Sequence, residues 1–583
     1  MTDVNKLITN NIDVWTSAIK KRNATGRGSS KKIELTGVKK LRELILELAV
    51  RGKLVSQDAN DEPANILLEK ITEEKAQLIV DKKIKKQKPL PAITDAEKPF
   101  ELPNGWEWAR LPNTAYYSPG KTPSTKNSEY WGDDVNNDIS WVSIADMHHY
   151  RVVESTAKRV TKKAVEEAFK REPVKAGTII MSFKLTVGKI SMLGLDAYHN
   201  EAIISVVPYS GVSKEYIYRF LPSRALSGNT KKAIMGNTLN SESLALITIP
   251  IPPLAEQHRI VAKVDELMAL CDQLEQQTEE SFSAHQTLVE VLLAGLTNCD
   301  SADDFLTSWQ RIAEHFDVLF TTEHSIEQLK QTILQLAVMG KLVPQNPSDE
   351  PASVLLEKIA EEKAQLIADK KIKKQKPLPA ITDEEKPFEL PRGWELCRLG
   401  HLINLVSGQH LKPSEYSEIE LEKGVPYITG PAEFGEKHPQ YSKYTTERRA
   451  LAKSGDILIT CKGAGLGKLN RANKTIAISR QLMAIQPIFV EIDYIHLLVN
   501  SSYDYFQDRG VGIAIPGMSR EDVTELILQL PPLAEQHRIV AKVDELMALC
   551  EQLKTRLSDA QTIQLNLADA VVENALDNEI SNK

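Results

Sequence analysis

PPLAEQHRIVAKVDELMALC occupies Pro252–Cys271 and returns, letter for letter, at Pro531–Cys550. Each copy opens on a Pro-Pro stop and continues as an amphipathic pattern. Ile260, Val264, Leu267, Cys271 and Leu274 step by four and three, and so do Ile539, Val543, Leu546, Cys550 and Leu553. That spacing predicts an a/d seam along one side of a helix, which needs another helix against it. The first helix is expected from Ala255 to about Leu296, a span of about 60 Å. Polar Thr278, Ser281 and His285 in the middle of its seam leave room for a break. The second is expected from about Ala534 to Ala575.

A longer repeat frames the first. Leu41–Leu111 reads LRELILELAVRGKLV…KKIKKQKPLPAITDAEKPFELPNGWEWARL, and Leu329–Leu399 reads LKQTILQLAVMGKLV…KKIKKQKPLPAITDEEKPFELPRGWELCRL. Roughly three positions in four agree, too many for shared helix propensity alone. Val38–Val50 carries Val38, Leu41, Ile45 and Leu48 on one helical face, ending near Gly52. Asp61-Glu62-Pro63 opens a second helix, expected to run through KKIKKQK to the stops at Pro89 and Pro91. The lysines either touch phosphates or offset the helix dipole. Upstream, a short helix is expected near Ile12–Lys20, followed by the loose stretch ATGRGSSKK, an unbound loop or a basic arm.

Between frame and long helix each half carries a block of its own, 112–251 and 400–530. Both read as short β-branched strands broken by Gly and Pro. KAGTIIMSFKLTVGKI in the first matches KSGDILITCKGAGLGKL in the second with one residue inserted, and ISWVSIADM resembles VPYITGPAE. The expected class is α+β. Two mixed α+β modules are separated by two long antiparallel helical rods, with a pseudo-two-fold internal duplication. The segments are an arm (1–40), a first frame (41–111), a first block (112–251) and a first long helix (252–300). A link with the second frame (301–399), a second block (400–530) and a second long helix (531–583) follow. Alike frames fit docking on one kind of surface. Unlike blocks fit reading different things, or one block replaced by recombination.

At 583 residues the chain holds several domains. No apolar run is long enough for a bilayer, and MTDVNKLITNNIDVW lacks a signal-peptide layout. Five scattered cysteines without a CxxC pair fit a reduced, cytoplasmic protein without structural zinc. The net charge of −7 looks wrong for a nucleic-acid binder, but it is unevenly spread. Pro252–Gln328 sets Arg259, Lys263 and Arg311 against fifteen acidic residues, while the first block is mildly basic. Nucleic acid would fall to the blocks, and the acidic helices would face solvent or protein.

Catalytic motifs are missing. Lys462-Gly-Ala-Gly-Leu-Gly-Lys468 resembles a phosphate loop, but Lys462 replaces the leading Gly and Leu469 the magnesium-binding Ser or Thr. A tight turn between strands is the better reading. His148, His149, His258, His285 and His537 have no metal-ligand spacing. No Asp/Asn-Pro-Pro-aromatic loop, nuclease carboxylate cluster or helicase motif occurs. What remains is polar and aromatic side chains on turns: Lys121, Thr122, Ser124, Lys126, Trp141, Ser143, Lys184, Thr186 and Lys189 in the first block. The second offers Gln409, His410, Lys412, Tyr427, Thr429, Lys462, Lys468, Arg480 and Gln481. Such groups read base edges or hold phosphates, although any single one is more often a plain solvated loop residue.

With those residues in place the chain resembles the specificity subunit of a type I restriction–modification system, over nearly its whole length. The marks are the paired PPLAEQHRI helices, GKTPSTKNSEYW…ISWVSIADM and GDILIT…GLGK…ISRQ. ELAV-x-GKLV and KPFELP-x-GW resemble the subclass with unusually long repeats. The resemblance implies that each block is a target-recognition domain reading half of a split, asymmetric sequence in double-stranded DNA. The rods would set the unread spacer. Two modification subunits would dock on the repeats, through Glu256, Gln257, Arg259, Ile260, Glu535, Gln536, Arg538 and Ile539, and methylate an adenine in each half. Restriction subunits would add ATP-dependent cleavage. The chain itself would bind no cofactor and catalyse nothing; S-adenosylmethionine, ATP and Mg would belong to the other subunits. Two rivals stay open: a coiled-coil scaffold for proteins, and a self-contained DNA methyltransferase or nuclease.

Overall fold

The computed structural model describes residues 4–21, 33–86, 89–227, 231–233, 236–299, 302–386, 390–463, 465–510 and 517–577. ATGRGSSKK lies outside them. The chain forms two compact units, one from the residues up to Ser281 and from Ala560 on, the other from Phe282 to Asp559. Both long helices are unbroken, Leu254–Thr297 and Leu533–Asp577. Thr278 in the polar middle of the first bonds its hydroxyl to the Leu274 carbonyl at 2.7 Å, so a polar seam residue is satisfied within the helix. No helix among the described residues is long and apolar enough to cross a membrane.

In the first unit the seam residues Ile260, Val264, Leu267, Cys271 and Leu274 are buried. Their helical partner is the frame helix Thr36–Val50, whose Leu41, Leu44, Ile45 and Leu48 are buried too. Arg42 fastens the pair through Asp272 (2.7 Å) and Glu275 (2.6 Å). The second unit repeats this with the frame helix Glu323–Val338, where Lys330 pairs with Glu551 and Lys554 with Glu327. Both frame helices end in a Schellman turn on a glycine at positive φ, Gly52 (67°) and Gly340 (69°). The next residue is a lysine that caps another helix. Lys53 Nζ donates to the Leu576 carbonyl (3.0 Å), and Lys341 Nζ to those of Thr297 (3.0 Å) and Cys299 (2.9 Å). Each Gly-Lys pair thus stops one helix and satisfies the orphan carbonyls at the end of a long one.

The second frame helices are shorter than expected, Ala64–Val80 and Ala368 closing Ala352–Ala368. Lys82 (φ 57°) and Lys370 (φ 58°) turn the chain in the left-handed region, and the amides of Lys83 and Lys371 bond back to the carbonyls of Leu78 and Leu366. The lysine runs therefore lie beyond the helices. Upstream, the helix expected near Ile12–Lys20 runs Ile12–Ser17, with Trp15 fully buried, and a further helix, Val4–Asn10, precedes it.

Each block hangs on a two-stranded neck. In the first, Glu107–Arg110 pairs antiparallel with Thr248–Ile251; in the second, Glu395–Arg398 pairs with Ile527–Leu530. The first block holds a five-stranded sheet in the order Ala115–Pro119, Ile203–Pro208, Ile179–Ser182, Ile190–Leu193, Arg151–Val153. A four-stranded sheet joins Ala197–His199, Ile139–Val142, Lys158–Val160 and Trp131–Gly132, its first pair parallel. The second block has Ile403–Ser407, Leu482–Pro487, Ile457–Thr460 and Leu469–Arg471, then Tyr444–Thr445, Val425–Ile428, Ile476–Ile478 and Leu451–Ala452. Both are mixed α+β modules. The glycine-rich Lys462–Lys468 run joins two antiparallel strands, the geometry of a hairpin and not of a strand-to-helix phosphate loop.

One arginine closes each neck. Arg110 is 2% exposed and uses its whole donor fork. It donates to the carbonyls of Pro91 (3.1 Å), Ala92 (3.2 Å) and Leu246 (2.9 Å) and to both oxygens of Glu97 (3.0 and 3.1 Å). Arg398 repeats the set on Pro379, Ala380, Glu525 and Glu385. So the Pro-rich strap, the neck and the end of the block meet on one side chain.

The PPLAEQHRI residues form the other joint. Glu256 (1% exposed) accepts from the Trp106 indole at 3.0 Å. Gln257 accepts from the Ser213 amide at 2.8 Å, at the start of the block helix Lys214–Ser227, and donates to the Pro252 carbonyl at 2.9 Å. Arg259 pairs with Asp61 at 2.6 Å. In the second unit Glu535 takes the Trp394 indole (3.0 Å), Gln536 the Glu491 amide (2.9 Å), and Arg538 pairs with Asp349 (2.6 Å). Frame, block and long helix are therefore locked together twice.

Trp106→Phe or Trp394→Phe removes the indole donor of a buried carboxylate without emptying the core. Each should cost about 1–3 kcal/mol of unit stability, read from the denaturant midpoint. The Arg110 guanidinium holds Glu97 down from 4.5 to about 2. A depressed carboxyl contributes stability that is full above its unfolded value and is lost as pH falls toward the folded one. The advantage of the native chain over Glu97→Gln should therefore stand at neutral pH and shrink as pH falls from 4.5 toward 2, followed by denaturant melts at stepped pH.

Candidate nucleic-acid interface

Four loops meet at one end of the first block. They follow the strands Ala115–Pro119, Ile139–Val142, Ile179–Ser182 and Ala197–His199. The last is the hub. Lys121 N donates to the His199 carbonyl (2.8 Å), Asn200 N to that of Val142 (3.0 Å), and Phe183 N to that of Ala202 (2.9 Å). The second block makes the same bonds at matching positions. Gln409 N donates to Ile478 O (2.9 Å), Ser479 N to Ile428 O (2.9 Å), and Cys461 N to Gln481 O (2.8 Å). These bonds put Lys121 and Gln409, Phe183 and Cys461, and Lys184 and Lys462 at equivalent addresses.

A glycine admits the first loop to the hub in each case. A Cβ on Gly120 would lie 1.9 Å from the His199 carbonyl oxygen, and one on Gly408 the same distance from that of Ser479. No side chain fits such an approach. The hairpin loops also share their pinning. Gly188 N and Gly467 N bond the carbonyls of Ser182 and Thr460 (both 2.9 Å), and Ser182 N and Thr460 N those of Lys189 and Lys468 (both 2.9 Å). The tips between them differ by one residue, as the sequence match implied.

Of the side chains singled out from the sequence, Lys121, Ser124, Lys126, Thr186, Gln409, His410, Lys412, Lys462, Lys468, Arg480 and Gln481 are exposed on these loops. Lys121 Nζ is tied to the Ala168 carbonyl at 2.6 Å. Thr122 is half-buried and donates to Glu201. Lys184 is half-buried, its Nζ 5.2 Å from the centre of the Phe183 ring, and Lys189 Nζ is held by the Ile144 carbonyl at 2.9 Å. Ser143 and Thr429 are turned inward as caps, their hydroxyls on Asp146 (2.6 Å) and Glu433 (2.8 Å). Trp141 and Tyr427 are buried and support the loops instead of presenting an edge. The Trp141 indole donates to the Lys121 carbonyl (3.1 Å), and the Tyr427 hydroxyl accepts from Leu411 N (3.1 Å). Packing between hub and first loop explains why an aromatic stands there in both blocks.

Burial corrects the partner-facing assignment for six of its eight residues, while the Arg259 and Arg538 side chains stay 37% and 36% exposed. Glu256, Gln257, Ile260, Glu535, Gln536 and Ile539 are at most 1% exposed, and Arg259 and Arg538 are held by Asp61 and Asp349. Their types looked outward-facing on a helix, but each polar one has a buried partner in the frame or block. Sequence reading also missed Glu201 and the two pinching glycines. Setting HNEAIISVV against ISRQLMAIQ, the two strands that leave the hub, would have exposed Glu201.

The type I restriction modification DNA specificity domain matches residues 103–282 and again 391–560. The type I restriction enzyme EcoEI specificity subunit of Escherichia coli is 40% identical over 605 residues, with 98% of this chain and 100% of that one covered. The EcoAI specificity subunit of Escherichia coli is 39% identical over 608 residues, with the same coverage. A solved HsdS subunit from Thermoanaerobacter tengcongensis aligns over 82% of this chain and 98% of its own, at 20% identity and a TM-score of 0.42. With one domain matched in each half and two relatives matched along their full length, this chain belongs to the type I restriction–modification DNA specificity family.

Proposed function

We propose that this chain is the sequence-reading subunit of a type I restriction–modification complex. Each block reads one half of a bipartite, asymmetric target in double-stranded DNA. The continuous helices set the unread spacer. The observation that carries this is the pair of loop ends: one hub, one pinching glycine and two shared lysine positions, built twice, with different side chains at the tips. A common scaffold with different tips is what two readers of different sequences require. Lys184 and Lys462, kept at the same address, suit a phosphate.

Two modification subunits are assigned to the repeated helices, with restriction subunits as optional additions. Support comes from the outer side of the repeat. Ala255, Ala262, Glu266 and Ala269 are exposed, and so are Ala534, Ala541, Glu545 and Ala548. The buried joint accounts for identity on the inner side only, and a shared partner accounts for it on the outer side. On this reading S-adenosylmethionine, ATP and Mg belong to the other subunits, this chain performs no chemistry, and the complex works in the cytoplasm.

The test is a base-resolution map of methyl-adenine in the source cell with and without this gene. One split motif should lose its mark. Unchanged marks would sink the proposal. The necks predict a second result: exchanging 112–251 for another such block should change one half-site and leave the other intact. A change in both halves would refute the two-reader arrangement.

A further inference from the structure

At each hub one residue lies between two fixed backbone bonds. In the first block it is Glu201, between Asn200, whose amide bonds Val142, and Ala202, whose carbonyl takes the Phe183 amide. In the second it is Arg480, between Ser479 and Gln481, which make the matching bonds to Ile428 and Cys461. Both side chains are exposed. The backbone address is the same and the charge is opposite. The neighbour from the first loop differs too: Thr122, two residues after the pinching Gly120, donates its hydroxyl to Glu201, and His410 stands two residues after Gly408.

An acidic side chain gains nothing from a phosphate backbone, which repels it. Among the edges of the major groove a carboxylate is matched by an exocyclic amine, that of cytosine above all. A guanidinium is matched in two places by O6 and N7 of guanine. The Thr122 hydroxyl leaves the second oxygen of Glu201 to accept from such an amine. Resting on the DNA-reading function above, we infer that Glu201 and Arg480 are paired specificity determinants. Glu201 selects a cytosine in one half-site, and Arg480 a guanine in the other. Lys184 and Lys462, one residue past the matching Phe183 and Cys461, grip the backbone alike in both.

The test is selection from random double-stranded DNA by the full-length chain, native and as Glu201→Gln, Glu201→Arg, Arg480→Gln and Lys462→Gln, with melting curves confirming the fold. The native chain should enrich a split motif. Glu201→Gln should relax one cytosine in one half by about tenfold or more, and Arg480→Gln one guanine in the other, by a similar factor. Glu201→Arg should turn the cytosine preference toward guanine. Lys462→Gln should weaken all sequences alike and lower the salt slope by about one. Unchanged base preferences in the Glu201 and Arg480 variants would overturn the inference. So would a uniform loss in Arg480→Gln with a lower salt slope, which marks a phosphate contact. A native chain that enriches no motif would overturn the DNA-reading function itself, a separate failure.

Discussion

A buried glutamine at the start of each long helix holds the molecule's parts in register. Gln257 and Gln536 are fully buried, and each accepts the free amide at the start of a block helix while donating to a carbonyl of its own Pro-Pro turn. An unpaired amide or carboxamide in such a place is costly. The block helix, the turn and the long helix therefore have one mutual arrangement that satisfies all three. The neighbouring glutamate and arginine add the frame, through a tryptophan and an aspartate. That joint explains why nine letters as polar as PPLAEQHRI are identical in both copies: most of them face inward.

The necks divide labour. Arg110 and Arg398 tie strap, neck and block end, through bonds to the strap carbonyls, the block-end carbonyl and a glutamate. Tyr216 and Tyr494 reinforce the same joint, each giving its buried hydroxyl to a neck carbonyl, Pro250 (2.8 Å) and Gln529 (2.9 Å). The residues that hold a block in place are thus distinct from those that would touch DNA. Loop tips can vary while the joints stay fixed, and the two blocks show that pattern.

Periodicity made the helices legible. Ile260, Val264, Leu267 and Cys271 are buried as their spacing requires. The echo between the two hairpin runs also gave the shared fold of the blocks, because strand patterning survives a change of tips. Two things were not legible. The lysine runs after Val80 and Ala368 carry strong helix formers, yet a left-handed lysine ends each helix in a locally hydrogen-bonded turn, which propensity does not report. The direction of polar side chains on the long helices was misread for a related reason. A glutamate or glutamine on a helix reads as solvated unless its partner is known, and Trp106, Trp394, Ser213 and Glu491 lie far away in sequence. Trp141 and Tyr427 were drawn toward the candidate site by type, and burial moved them beneath it.

The separation of joints from tips has a consequence for a cell that carries this gene. A chain altered only at a loop tip keeps its helices, necks and outer surfaces. On the proposed function it would still compete for the same companions as an intact chain, yet deliver them to no address or to a new one. Such an allele would then act over a normal copy in the same cell, where an allele damaged at Gln257 or Arg110 would be lost. Changes of address would therefore be visible to selection at once, in a single gene dose.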